Sequence, residues 1–333
     1  MPFRICVIGC GALSTRAHGP SCRRYAQRHP DVELAACCDL DAVRAEGYRQ
    51  ANGFQRHYTD YRAMLATERP DAVCLMAPVS RTCELSCAVL GMGFPLLMEK
   101  PPGLNRDECL AMIAAADRAG VPNQVSFNRR YTPLVQELKT RLVSQFRPED
   151  IQNLRYDFFR INRRDADFAT TAIHGIDTAC FIAGSPYRRV RFRYQALPAL
   201  GPTVANIFMD CDMASGATVH INFCPVTGVI IERATVSLFD HTYFLSIPIW
   251  EAYDSPGRLQ HLVRGEPIED LDGGRLEGAG EMYIASGFYG ENASFFDDLR
   301  AGRRPRGDIR SGLQSVEIAD CIRQRCAEYA APA

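Results

Sequence analysis

Residues 3–14 read FRICVIGCGALS, an apolar run that leads directly into Gly9-Cys10-Gly11 and then into a helical pattern. This order predicts a buried strand, a tight turn and a helix, with Ser14 in the third place of a Gly-x-Gly-x-x-Gly pattern. The first glycine permits the turn, the second lets the backbone approach a pyrophosphate, and free N–H groups at the helix start face the phosphates. The motif alone is weak evidence, because any tight turn between a strand and a helix uses the same glycines.

A carboxylate ends the second apolar run of the chain. Asp39 follows residues 32–38 and lies 28 residues after Gly11, which is later than the ~20 residues typical of an acid that binds a ribose. Asp39 would accept hydrogen bonds from both ribose hydroxyls and would repel a 2′-phosphate, which favours NAD over NADP. The alternative is a helix N-cap, since Asp39 and Asp41 both flank the start of the next helix. Enzymes that use S-adenosylmethionine share both features, so this site does not define a reaction.

The pattern of secondary structure changes along the chain. Up to about residue 125, short apolar runs alternate with helical patterns, which predicts βαβ units on a parallel sheet. After about residue 150, longer β-rich runs separated by turn signals predict a mainly antiparallel sheet. We therefore expect an α/β Rossmann domain over residues 1–123 and an α+β domain with a large, mainly antiparallel open sheet over residues 124–333.

Three helices and one loop are predicted within the second domain. The helices are expected near residues 171–183, 292–301 and 310–329. The segment 257–280 is rich in glycine and charge, and it is predicted to be an ordered loop.

Composition limits the possible classes of function. Lys and Arg number 38 and Asp and Glu 39, so the net charge of −1 argues against a nucleic-acid binder, which needs a basic surplus. No secretory signal is visible and no apolar segment approaches the ~20 residues that span a bilayer, so we expect no membrane partner and a cytoplasmic location. The fourteen cysteines form no Cys-x-x-Cys pair, which predicts buried, reduced thiols and no metal site.

A Glu-Lys pair stands at the end of a predicted parallel strand, in Leu96-Leu97-Met98-Glu99-Lys100-Pro101. Ligands of open α/β sheets bind beyond the carboxyl ends of such strands. Lys100 precedes a proline and therefore belongs to an irregular turn rather than to a helix. Its amine could bond a substrate hydroxyl and pass a proton. The alternative is an exposed Glu-Lys pair in a loop.

The second candidate for chemistry is on the helix predicted near residues 171–183. His174 and Asp177 are three residues apart and share one face of that helix. His174 is suited to general-base catalysis at neutral pH. The alternative is a buried structural histidine, which is the more frequent role in an apolar helix.

These motifs together resemble the glucose–fructose oxidoreductase / inositol 2-dehydrogenase / MocA family. The resemblance covers almost the whole chain and rests on Gly9-Cys10-Gly11, Asp39, Ala77-Pro78, Glu99-Lys100-Pro101, Phe127-Asn128-Arg129-Arg130-Tyr131 with Pro133, His174-Gly175-Ile176-Asp177, and Ser294-Phe295-Phe296-Asp297-Asp298-Leu299 with Gly302 and Pro305. It implies oxidation or reduction of a ring carbon in a sugar, a cyclitol or a related small polyol with NAD(P).

The resemblance also implies roles for individual residues. Lys100 would bond the reacting oxygen and His174 would be the acid/base, while Arg130 and Asp177 would line the substrate side unless they form a structural ion pair. The positions expected to contact the cofactor are Gly9, Cys10, Gly11, Ala12, Leu13, Asp39, Ala77, Pro78, Glu99 and Lys100.

Three positions depart from the family pattern. Thr170 stands where the family often has an aspartate four residues before the histidine, Ala172 replaces a common glycine, and Thr82 replaces a frequent histidine. Asp165 or Asp167 could supply the missing carboxylate. Two alternatives to a dehydrogenase therefore stay open: a redox-neutral NAD-dependent lyase or glycosidase, and a non-catalytic NAD-binding sensor.

The β-rich domain is expected to carry exposed apolar side chains on its sheet, such as Tyr243, Phe244 and Trp250. Faces of this kind commonly bury against a second subunit, which predicts a homo-oligomer. The alternative is that the segment 257–280 covers the face.

Overall fold

The computed structural model describes residues 2–332, which divide into two compact units. The first unit comprises residues 2–128 and 288–316, and the second comprises residues 129–287 and 317–332. The chain crosses between the units for the first time close to the expected domain boundary at residue 123. The first unit thus draws on two stretches that are far apart in the sequence.

The first unit is built on a parallel sheet. Within residues 2–332 its six strands are β1 (Phe3–Ile8), β2 (Val32–Cys38), β3 (Arg56–Tyr58), β4 (Ala72–Leu75), β5 (Leu96–Glu99) and β6 (Asn123–Ser126). Their order is β3-β2-β1-β4-β5-β6, and all neighbours pair in parallel. This is the strand order of dinucleotide-binding α/β folds, so the predicted Rossmann domain is confirmed.

Helices connect these strands: α1 (Gly19–Arg28), α2 (Ala42–Asn52), α3 (Tyr61–Glu68), α4 (Val79–Gly91) and α5 (Arg106–Ala119). A π-helical turn, Ser14–His18, precedes α1, where the sequence predicts one continuous helix. The side chains of Asp41, Asp60 and Asn105 accept backbone N–H groups at the starts of α2, α3 and α5. These N-caps fix where the helices begin after each turn.

The second unit contains α6 (Pro133–Gln145), α7 (Ala169–Ala183), the short α8 (Met282–Ala285) and a large sheet. Within residues 2–332 this sheet has nine strands: β7 (Ile151–Phe159), β8 (Tyr187–Ala196), β9 (Ala205–Met213), β10 (Thr218–Cys224), β11 (Ile231–Leu238), β12 (His241–Ser246), β13 (Arg258–Val263), β14 (Glu266–Asp272) and β15 (Glu328–Ala330). The order is β14-β13-β12-β11-β7-β10-β9-β8-β15. Within the described part of this sheet, only β7 and β10 pair in parallel, so the predicted mainly antiparallel sheet is confirmed.

Two further helices, α9 (Phe288–Arg300) and α10 (Ile309–Arg323), follow α8. The helix α9 packs on α1 in the first unit. The Tyr25 ring lies 5.0 Å from the ring of Phe296, and the Tyr25 hydroxyl donates to Asp297 at 2.6 Å. Phe295 and Phe296 are fully buried in the same apolar cluster as Ile5 of β1. The C-terminal segment therefore completes the core of the parallel-sheet unit.

The prediction of a loop over residues 257–280 is wrong, because this segment contains the antiparallel pair β13 and β14. The strand β14 is the edge of the large sheet and most of its side chains are exposed. Charged residues are typical of such edges, where they discourage pairing with other chains, and they make the sequence resemble a loop.

Three other expectations need correction. The helix α6 was not predicted, and the last helix ends at Arg323 rather than near residue 329, where β15 instead pairs with β8. Tyr243 is buried and stacks on His261, with ring centroids 4.0 Å apart, so it is not on the exposed face. Phe244, whose side chain alternates with that of Tyr243 along β12, is 43% exposed as predicted.

Candidate active site

The turn after β1 has one tightly packed glycine and one open glycine. Gly9 has φ of +95°, and a Cβ there would lie 2.1 Å from the carbonyl oxygen of Met76. A Cβ on Gly11 would meet no atom within 4 Å. The backbone at Gly11 is therefore bare on the side where a phosphate would approach, which is the arrangement that the sequence motif predicts.

Ser14 suits the third place of the motif. Its side chain is buried and its hydroxyl donates to the Tyr48 hydroxyl of α2 at 3.0 Å. A small residue is needed here so that the π-helical turn can pack closely. Serine meets this need and adds a hydrogen bond to the neighbouring helix.

A cavity of about 880 Å³ opens beside this turn, in the upper part of the range of ~300–1,000 Å³ usual for small-molecule sites. It lies at the carboxyl ends of β1, β2, β4 and β5. Residues that line it include the predicted cofactor contacts Gly9, Gly11, Ala12, Leu13, Asp39, Ala77, Pro78 and Glu99. The structure thus brings eight residues from four separate segments to one cavity.

Cys10, another predicted contact, is not one of the residues that line the cavity. Its side chain is buried, and its backbone N–H donates to Asp39 Oδ2 at 2.9 Å. Burial and the thiol of Cys37 raise the pKa of Cys10, the Cys37 contact having the larger effect. Cys10 therefore serves the turn by fixing Asp39 and is an inert thiol.

Asp39 holds the Gly-rich turn against the end of β2. Besides the bond from Cys10, its Oδ1 accepts from the backbone N–H of Asp41 at 3.0 Å and from Arg44 Nη1 at 3.1 Å. The N-cap of α2 is Asp41, which accepts from the backbone N–H groups of Val43 and Arg44. The capping alternative therefore belongs to Asp41, and Asp39 is left to face the cavity. Gly11, which leaves room for a pyrophosphate, and the Asp39 carboxylate, which lines the same cavity, fit an NAD dinucleotide.

Arg44 is a cavity residue that the sequence did not single out. It lies five residues after Asp39, in the first turn of α2, and its side chain is about half exposed. The sequence signal was present, because a residue three after the N-cap of a helix can turn back toward that cap.

Glu99 and Lys100 follow each other at the end of β5. Glu99 is buried, and its carboxylate accepts from His18 Nε2 at 2.9 Å and from the backbone N–H of Lys100 at 3.2 Å. Burial opposes its ionisation, but the bond from His18 and the charge of Lys100 outweigh burial and lower the pKa of Glu99. Lys100 is partly exposed and precedes Pro101 in a cis peptide. The pair is therefore a buried carboxylate beside a more accessible amine.

In the second unit, His174 lies in a charged cluster. Its Nε2 is 3.2 Å from Arg129 Nη1, and because a guanidinium can only donate, His174 Nε2 is the acceptor. Arg129 also donates to Glu232 at 2.9 Å, and the buried Arg160 and the Tyr156 hydroxyl donate to the same carboxylate. Burial opposes the charge on Glu232, but the two guanidinium groups lower its pKa to about 2. While the bond from Arg129 is made, His174 cannot donate a proton from Nε2.

Asp177, which is buried, forms an ion pair with the largely buried Arg130. Arg130 Nε donates to Asp177 Oδ2 at 2.8 Å, and Nη2 donates to the other carboxylate oxygen. A two-pronged pair of this kind is rigid. The structure therefore supports the structural alternative for these two residues.

Thr170 and the two aspartates that could supply the missing carboxylate, Asp165 and Asp167, all have local partners. The Thr170 hydroxyl donates to the carbonyl oxygen of Asp167 at 2.9 Å. The Asp167 carboxylate accepts from Arg323 at 3.0 Å, and the Asp165 carboxylate pairs with Arg163 at 2.8 Å. Each carboxylate thus serves the start of α7 or a surface ion pair.

The sequence missed the cluster of Arg129, Arg160 and Glu232. One signal was available: Glu232 interrupts the apolar run at the start of β11, at a position whose neighbours along the strand alternate between buried and exposed. A buried acid requires a cation nearby. Which arginine supplies it depends on strand pairing that the sequence does not specify.

Within residues 2–332, no helix is long and apolar enough to span a bilayer. In the same part of the chain, no group of three or more His, Cys, Asp or Glu side chains is arranged to hold a metal ion.

Residues 3–127 match the model of a family described as an oxidoreductase family with an NAD-binding Rossmann fold. A D-apiose dehydrogenase from Paraburkholderia graminis is 36% identical over 135 residues, which are 40% of this chain and 34% of that protein. This match thus spans about a third of that relative's length. An inositol 2-dehydrogenase from Salmonella typhimurium is 23% identical over 68% of this chain and 72% of its own.

Among solved structures, an NAD binding oxidoreductase from Klebsiella pneumoniae superposes with a TM-score of 0.82 over 100% of both chains. Its sequence is 20% identical, so the likeness shows the fold. The family match confirms the NAD cofactor predicted from the Gly-rich turn and Asp39.

Proposed function

We propose that the chain is an NAD-dependent dehydrogenase or reductase, because residues 3–127 match the model of an NAD-binding oxidoreductase family and the motifs resemble the glucose–fructose oxidoreductase / inositol 2-dehydrogenase / MocA family. Its reaction would transfer a hydride between the nicotinamide and a ring hydroxyl or ketone of a sugar, a cyclitol or a related small polyol. The observation that carries this proposal is the cavity that joins Gly11, Asp39 and Glu99, with Lys100 directly after it. The names of the relatives, a D-apiose dehydrogenase and an inositol 2-dehydrogenase, support the substrate class.

The residues around the turn would select and hold the dinucleotide. Gly11 leaves room for the pyrophosphate, and Asp39 would accept the ribose hydroxyls at the far end of the cavity. A 2′-phosphate would meet the Asp39 carboxylate, which favours NAD. Arg44 beside it reduces that repulsion, so we expect a preference for NAD rather than complete exclusion of NADP.

The nicotinamide, when bound, supplies the hydride acceptor or donor. We assign the proton on the reacting oxygen to Lys100, whose amine would bond that oxygen and take or return the proton as hydride moves. His174 is proposed to act on the substrate side, where its ring orients Arg129 through Nε2. An acid/base role for His174 would require this bond to open first. Arg130 and Asp177 are proposed to shape the substrate side as a rigid pair.

The central test is Lys100→Met, which removes the amine at nearly constant length. We expect turnover to fall by about 10²-fold or more, in the range of general acid–base effects, while NAD binding stays close to wild type. Lys139 is the other lysine of the sequence, so Lys139→Met is a matched control that should keep its turnover. The activity assay is a screen of sugars and cyclitols for NADH formation, run with NAD and with NADP.

The results separate the three functions that the sequence leaves open. NADH formation that depends on Lys100 supports the dehydrogenase. Substrate conversion without net NADH would point to a redox-neutral lyase or glycosidase. A protein whose ligand binding is unchanged by both Lys100→Met and His174→Ala would be a sensor, and wild-type turnover in Lys100→Met would refute the assignment of the proton to this residue.

We also propose a homo-oligomer in which the exposed face of the large sheet is buried. Phe244 on that face is 43% exposed, and Trp250 is partly exposed. The mass of the protein in solution tests this, and a monomer at micromolar concentration would contradict it. A cytoplasmic location stays a prediction, supported by the free thiols of all cysteines within residues 2–332.

A further inference from the structure

A chain of buried polar side chains runs behind the cavity in the first unit. It begins at Glu99 in the cavity wall and continues through Ser126 of β6 to Glu291 of α9. His18 and Asn292 flank it, and all five residues are buried. Two carboxyl groups in one desolvated network raise the question of which of them is ionised.

The state of His18 follows from its neighbours. The amide nitrogen of Asn292 donates to the carbonyl oxygen of Phe288 at 2.8 Å, which fixes the orientation of that amide. The same nitrogen is 3.1 Å from His18 Nδ1, so Nδ1 must accept. The ring proton is then on Nε2, which donates to Glu99 Oε1 at 2.9 Å. His18 is therefore a neutral donor to Glu99.

Ser126 connects the two carboxyl groups. Its hydroxyl oxygen is 3.2 Å from Glu99 Oε1 and is also hydrogen-bonded to Glu291 Oε1. A serine hydroxyl has one proton and can donate to only one of these oxygens. The other contact needs a proton that belongs to a carboxyl group. One of the two glutamates is therefore a neutral acid.

Glu99 is the better site for the negative charge. It already accepts from His18 Nε2 and from the backbone N–H of Lys100, and the positive charge of Lys100 favours its ionised form. With Glu99 ionised, Ser126 donates to Glu99 and Glu291 donates its proton to Ser126. In this arrangement the Glu291–Ser126 and Ser126–Glu99 hydrogen bonds each have one donor and one acceptor.

We infer that Glu291, Ser126 and Glu99 form a two-proton relay that stores one proton behind the dinucleotide cavity. In one state Glu291 is neutral and Glu99 is charged. In the other, the Glu291 proton has moved to Ser126 Oγ while the Ser126 proton has moved to Glu99, so Glu291 becomes the carboxylate. The net change is one proton carried from Glu291 to Glu99, and Ser126 is a hydroxyl in both states.

The use of this proton during turnover rests on the proposed function. Hydride transfer to NAD⁺ removes the positive charge of the nicotinamide ring, which lowers the electrostatic advantage of a charged Glu99. The proton is then expected closer to Glu99 with NADH and closer to Glu291 with NAD⁺. Ketone reduction consumes a proton, and the relay can place one at Glu99, next to Lys100. Ser126 and Glu291 act through Glu99 and are positioning residues.

Infrared difference spectroscopy on the full-length protein tests the stored proton without turnover. A neutral carboxyl group has a C=O stretching band that an ionised carboxylate lacks, and deuteration shifts this band. We expect the band in wild type at neutral pH and its loss in Glu291→Gln, which keeps the shape of the side chain. Glu149→Gln removes an exposed carboxylate and should leave the band unchanged. Absence of the band in wild type, or its survival in Glu291→Gln, overturns the stored proton.

The relay itself is tested by adding NAD⁺ or NADH to the same samples. The wild-type band should differ between the two complexes. In Ser126→Ala the band should remain but lose this difference, because the connection to Glu99 is broken. An equal response in Ser126→Ala, or no response in wild type with cofactor bound, overturns the relay. Failure of the proposed function would be seen differently, as absent NADH formation with the band of the free protein intact.

Discussion

Gly9 and Gly11 are two residues apart, yet added methyl groups should have opposite effects. At Gly9 the backbone has φ of +95° and a Cβ would lie 2.1 Å from the carbonyl oxygen of Met76. A left-handed backbone costs an L-residue about 1–2 kcal/mol. Crowding of a filled site adds about 1–3 kcal/mol. We therefore expect Gly9→Ala to lower the free energy of unfolding of the first unit by about 2–5 kcal/mol.

At Gly11 a Cβ would meet no atom within 4 Å, and φ is outside the left-handed range. Replacing glycine by alanine at a compatible position stabilises a protein by about 0.4–1 kcal/mol, because the unfolded chain loses freedom. Gly11→Ala should therefore be at least as stable as wild type. Its methyl group occupies the open side of the turn, so we expect NAD to bind at least about tenfold more weakly, a loss of ~1.4 kcal/mol.

The assay combines urea unfolding, followed by circular dichroism, with calorimetric NAD titration of both variants. Each variant is the control of the other, since one should lose stability and the other should lose affinity. A Gly9→Ala protein as stable as wild type would refute the close contact with Met76. A Gly11→Ala protein that binds NAD normally would refute the placement of the pyrophosphate at this turn.

Asp39→Ala should weaken NAD binding and reduce the preference for NAD over NADP, because the carboxylate is gone and Arg44 is released. Asp41→Ala should instead lower the free energy of unfolding by about 1 kcal/mol, because the N-cap of α2 is lost. Parallel titrations with NAD and NADP should show the selectivity between the two cofactors unchanged in Asp41→Ala. Glu232→Gln should destabilise the second unit by about 3–5 kcal/mol, since Arg129 and the buried Arg160 lose their counter-charge. The folded pKa of Glu232 is about 2, against an ordinary 4.5, so its stabilisation is present above pH 4.5 and is lost as the pH falls toward 2; acid unfolding that is identical in Glu232→Gln and wild type would contradict this. Tyr243→Phe should raise the free energy of unfolding by about 1 kcal/mol, because within residues 2–332 the buried Tyr243 hydroxyl has no hydrogen-bond partner. A Tyr243→Phe protein that is less stable than wild type in urea titration would contradict this prediction.

The parallel-sheet unit could be predicted closely because its signals are local. A strand, a Gly-rich turn, a helix and an acid at the end of the next strand occur in order along residues 3–39. Each depends on near neighbours in the sequence. Even the choice of Asp41 rather than Asp39 as the N-cap depends only on the local geometry at the start of α2.

The polar networks could not be predicted because their members are distant in sequence. Glu232 meets Arg129 across 103 residues, and Ser126 meets Glu291 across 165. The hairpin of β13 and β14 was missed for a different reason, since an exposed edge strand and a loop have similar composition. The hydrogen bond between Arg129 and His174 could not be predicted for the same reason as the networks, because Arg129 lies outside the helix of His174.

The packing of α9 on α1 has a consequence for how the protein is made. The sheet of the first unit is complete at Ser126, but Phe295 and Phe296, which fill its core, are synthesised about 170 residues later. At roughly 5–20 residues per second, the ribosome takes on the order of ten to thirty seconds to cover that distance. During this interval the surface around Tyr25 is exposed to water and to other nascent chains. A fragment that stops at residue 128 would keep that surface exposed permanently, so we expect it to aggregate unless a separate peptide covering residues 288–316 is supplied.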